Sequence, residues 1–73
     1  MRRFEDRSGR TWDVVIGRES WGTHCALFVP VTGHDVRQAV LRANAFDDAI
    51  NELEAMDEAR LQDLLDASSP KEG

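Results

Sequence analysis

The hydrophobic period of this chain changes once, near Ala45. Before that point apolar residues recur every second position or run together, and after it they recur three or four apart. In Thr11-Trp12-Asp13-Val14-Val15-Ile16 the residues Trp12, Val14 and Ile16 fall on one face, with Asp13, Val15 and Gly17 on the other. That is the period of a half-buried strand, with Trp12 pointing inward. Phe4 to Asp6 is a shorter strand, joined to it through Arg7-Ser8-Gly9-Arg10 as a hairpin. His24-Cys25-Ala26-Leu27-Phe28-Val29 is apolar on both faces apart from His24, the pattern of a central strand covered from two sides, and Pro30 ends its pairing capacity.

Val36 to Ala43 fits two descriptions. Asp35 with Gln38 resembles a capping box ahead of a helical stripe at Val36, Ala39, Val40 and Ala43. A fourth strand is preferred, because Asn44 with Asp47 starts a helix directly afterwards. From Ala45, Phe46, Ala49, Ile50, Leu53 and Met56 form one stripe, and Leu61, Leu64 and Leu65 form the next. Asp57 is a second N-cap, which predicts two helices with a break near Met56-Asp57, although one helix to Ala67 aligns the same residues. The expected fold is therefore α+β: a meander of three or four antiparallel strands, then one or two C-terminal helices packed on one face. Residues 1–68 make one domain and 69–73 a flexible tail.

At 73 residues the chain has room for a single small core. The apolar fraction of 41% is spread over most of the length, which excludes a disordered chain despite 32% charged residues. No run has the roughly 20 apolar residues of a membrane span, and no apolar core of a signal peptide follows Met1-Arg2-Arg3. The expected compartment is the cytoplasm, without membrane contact. The net charge of −5 divides unevenly: through Arg42 seven arginines face five carboxylates, and from Ala43 two basic residues face nine acidic ones. A strongly acidic second half repels phosphate, so any nucleic-acid contact is confined to one face of the sheet half.

The order F-x-D-x-x-G-x-x-W-x-V (Phe4, Asp6, Gly9, Trp12, Val14), G-R-E-S-W-G (Gly17 to Gly22), A-L-F-V-P (Ala26 to Pro30), Arg37 and L-x-x-L-L (Leu61, Leu64, Leu65) resembles small uncharacterised proteins of GC-rich bacteria. The resemblance spans residues 4–68. It implies a compact bacterial domain and transfers no activity or site residue.

The chemistry-bearing residues do not assemble into a catalytic pattern. His24, Cys25 and His34 lack paired metal-ligand spacing, and His24 and Cys25, adjacent in a strand, point to opposite faces. Cys25 lies in an apolar run that disfavours a thiolate. The pairs Asp47/Asp48 and Asp57/Glu58 sit among so many helical acids that they read as a solvated face. No phosphate loop or nucleophile elbow is present in the sequence. The expectation is a non-enzymatic protein with no cofactor and no metal.

The surface carries more. Trp21 stands at the centre of the loop Gly17 to Thr23 beside Arg18, and tryptophan with arginine is the composition of interface hot spots. The equal alternative is that the Trp21 ring folds back over the end of a small core. The predicted contact surface is Arg18, Trp21, His24, Arg37 and Arg42, serving as a protein-interaction, adaptor or accessory-subunit surface. The partner is another protein, or a second copy if Leu61, Leu64 and Leu65 are left uncovered. The alternative function is a small nucleic-acid-binding or transcription-regulatory protein.

Overall fold

A computed structural model describes residues 2–18, 24–43 and 45–71. Five strands form one antiparallel sheet in sequence order: β1 (Arg2–Glu5), β2 (Thr11–Arg18), β3 (His24–Pro30), β4 (Arg37–Val40) and β5 (Ser69–Pro70). Two helices, α1 (Phe46–Ala55) and α2 (Glu58–Ala67), lie between β4 and β5. The α+β meander with C-terminal helices is as the hydrophobic period predicts.

Register explains the core. Phe4 opposes Trp12, Val14 opposes Phe28, and Ile16, Ala26 and Ala39 share a row, so these residues share one face. They pack against Ala49, Leu53, Met56, Leu61, Leu64 and Leu65 of the helical half. Phe28 is fully buried and takes both Phe4 and Trp12 edge-on, at centroid distances of 6.5 Å and 6.3 Å. The helices cover this face only. On the other face Leu27 lies across Gly17, where an added Cβ would stand 2.7 Å from Leu27 Cδ1. Cys25 is buried there, its thiol donating to the Gly17 carbonyl at 3.7 Å, while Val29 and Val40 are exposed. Of the two covers expected for the strand from His24 to Val29, the described helices supply one, on the face of Ala26 and Phe28.

Turn chemistry ties the sheet together. Asp6 accepts from Ser8 N, Ser8 Oγ and Arg10 N through Oδ1, and from Trp12 Nε1 through Oδ2, all at 2.7–2.9 Å. Gly9 closes this turn at φ +89°, a backbone region that glycine enters without strain. Arg10 grips Asp35 with two guanidinium bonds, donates to the Thr32 carbonyl and lies 4.5 Å above the Trp12 ring. Because Asp35 is committed to Arg10, it caps no helix, and Arg37–Val40 pairs with β3 as a strand. The capping-box reading of Asp35 and Gln38 falls on that contact.

The first helix is capped differently from expectation. Ala45 holds the N-cap position without a side-chain bond, and Asn44 lies outside the described residues. Asp47 and Asp48 in the first turn complement the helix dipole. Its C-terminal end has no basic residue of its own; Arg2 Nη1 reaches over from β1 to the carbonyls of Leu53 and Glu54 at 3.1 Å and 3.2 Å. Met56 then turns extended, and Asp57 caps α2 by accepting from Arg60 N at 2.8 Å, so the chain breaks into two helices without glycine or proline.

The end of the chain is tied in further than a flexible tail from residue 69 would be. Ser69 and Pro70 pair with Gln38 and Arg37, and Lys71 N donates to Val36 O at 2.9 Å. Residues 72 and 73 lie outside the described residues.

Candidate interaction surface

The predicted contact residues divide between the two ends of the sheet. Arg18 and His24 are register partners where β2 ends and β3 begins. Leu41 N donates to the His24 carbonyl at 2.9 Å, which brings Arg42, the next residue, to the same end. Trp21 lies outside the described residues. Arg37 opposes Phe28 and Pro70, away from this cluster.

Burial separates them further. Arg18 and Arg42 are exposed and make no ion pair or hydrogen bond with any described residue, whereas His24 is 3% exposed. Neither ring nitrogen of His24 has a hydrogen-bond partner among the described residues, and its ring lies 6.3 Å from that of Phe46. Its position between sheet and helix is thus apolar packing rather than a contact surface. Arg37 is also engaged inside the chain: Nε donates to Ser68 Oγ at 2.8 Å and Nη2 to Ser68 O at 2.7 Å, while Ser68 Oγ donates to Leu65 O. It locks the C-terminus of α2 to β4.

The other arginines of the sheet half are similarly consumed. Arg3 pairs with Asp13, Arg7 reaches Asp66, Arg10 holds Asp35, and Arg2 caps α1. The hydrogen bonds from Arg10 hold the Asp35 carboxyl down to about 2, and the Arg10 guanidinium is raised in turn by the same pairing. At Asp6 partial burial works to raise the pKa, but the bonds from Trp12, Ser8 and Arg10 outweigh it and bring it to about 2. Both are structural acids. Two shallow depressions beside the first turn, of about 460 and 450 Å³, are floored by Asp6, Arg7 and Gln62, whose polar groups already bond within the fold.

Nothing in the helical stripe marks Phe46 as a surface residue. It heads the α1 stripe yet is 51% exposed. With Val15, Ile16, Ile50, Leu53 and Glu54 it lines a groove of about 240 Å³ between β2 and α1. Arg2 opposes Val14, and no described strand lies opposite Ile16 to Arg18 on that side.

Comparison with protein-family models, with curated proteins and with solved structures finds no match. No helix among the described residues is long and apolar enough to cross a membrane.

Proposed function

We propose that the protein is a non-catalytic interaction domain of the bacterial cytoplasm, working as an adaptor or accessory subunit through the end of the sheet where β2, β3 and α1 meet. One observation carries this reading. The arginines at Arg2, Arg3, Arg7, Arg10 and Arg37 are spent inside the fold, while Arg18 and Arg42 are engaged by no described residue at the end that also exposes Phe46. Cations and an aromatic ring left over by folding form the composition of a binding hot spot. Trp21 belongs to the segment that links β2 to β3 and completes the proposed surface by sequence.

The same distribution speaks against nucleic acid as the partner. Two exposed arginines neutralise few phosphates, and the adjacent helix carries Asp47, Asp48, Glu52 and Glu54. The test is affinity capture with quantitative mass spectrometry, comparing the native protein with a triple Arg18→Ala, Trp21→Ala, Arg42→Ala variant whose fold is checked by circular dichroism. A partner captured by the native protein and lost by the variant is expected. Identical captured sets would refute the surface, and co-purifying nucleic acid released by salt would replace the reading with the alternative.

A further inference from the structure

We draw no further inference here: the strongest candidate, the side-chain cluster at the start of α1 where the buried His24 ring, hydrogen-bonded by no described residue, lies 6.3 Å from that of Phe46 at the end of the sheet that carries Arg18 and Arg42, belongs to the surface already described, and nothing in the structure shows what it would hold.

Discussion

Asp6 is the residue whose loss has the most calculable consequence. Its Oδ1 organises the β1–β2 turn through Ser8 and Arg10, and its Oδ2 accepts from Trp12 Nε1 at 2.8 Å. Trp12 is only 3% exposed, so in Asp6→Ala the indole N–H loses its acceptor inside the core, a cost of about 1–3 kcal/mol. The turn donors at Ser8 and Arg10 are nearer solvent, and water recovers part of their loss, leaving roughly 1 kcal/mol more. A total of about 3 kcal/mol is large against the roughly 4–11 kcal/mol expected for a domain of this length. It should lower the thermal midpoint by about 12–24 °C, read by circular dichroism.

Acid titration gives an independent arm. Asp6 is lowered from 3.8 to about 2 in the folded chain, so its contribution is fully present above the unfolded value and is lost as pH falls through the folded one. Between about pH 4 and pH 2 the native protein should lose roughly 1–2 kcal/mol from this group, discounted for its partial exposure. Asp6→Asn should flatten that part of the profile and leave the part due to Asp35. A loss below about 1 kcal/mol in Asp6→Ala, or an unchanged acid slope in Asp6→Asn, would refute the reasoning.

Other substitutions separate structural arginines from surface ones. Arg37→Ala should destabilise by about 2 kcal/mol in urea unfolding, because it frees Ser68 and the C-terminus of α2. Arg18→Ala and Arg42→Ala should each change stability by less than about 0.5 kcal/mol. Gly33→Ala forces a side chain onto φ +110° and brings its Cβ to 2.7 Å from Arg10 Nη2, so a loss of about 1–3 kcal/mol is expected, together with a rise in the Asp35 pKa seen by carboxyl NMR titration. Leu61→Ala, at a fully buried position, should cost about 2–5 kcal/mol.

The fold was legible because each element announces its own period and caps. Trp12, Val14 and Ile16 alternate, the α1 stripe recurs at helical spacing, and Asp57 stops one helix while starting the next. What pattern could not reveal were long-range commitments of polar side chains. Arg37 looks like any surface arginine until Ser68 arrives beside it from 31 residues away, and Asp35 looks like a helix cap until Arg10 takes it. His24 reads as the one polar residue of β3, yet the α1 start covers it through Phe46. The groove was hidden for a related reason: it joins Val15 and Ile16 of β2 to Phe46, Ile50 and Leu53 of α1, a juxtaposition that no single element's pattern contains.

Affinity capture with the Arg18→Ala, Trp21→Ala, Arg42→Ala variant tests the interaction reading most directly. The account predicts a partner held by the native chain and lost by the variant at an unchanged circular dichroism spectrum. An identical captured set would contradict it.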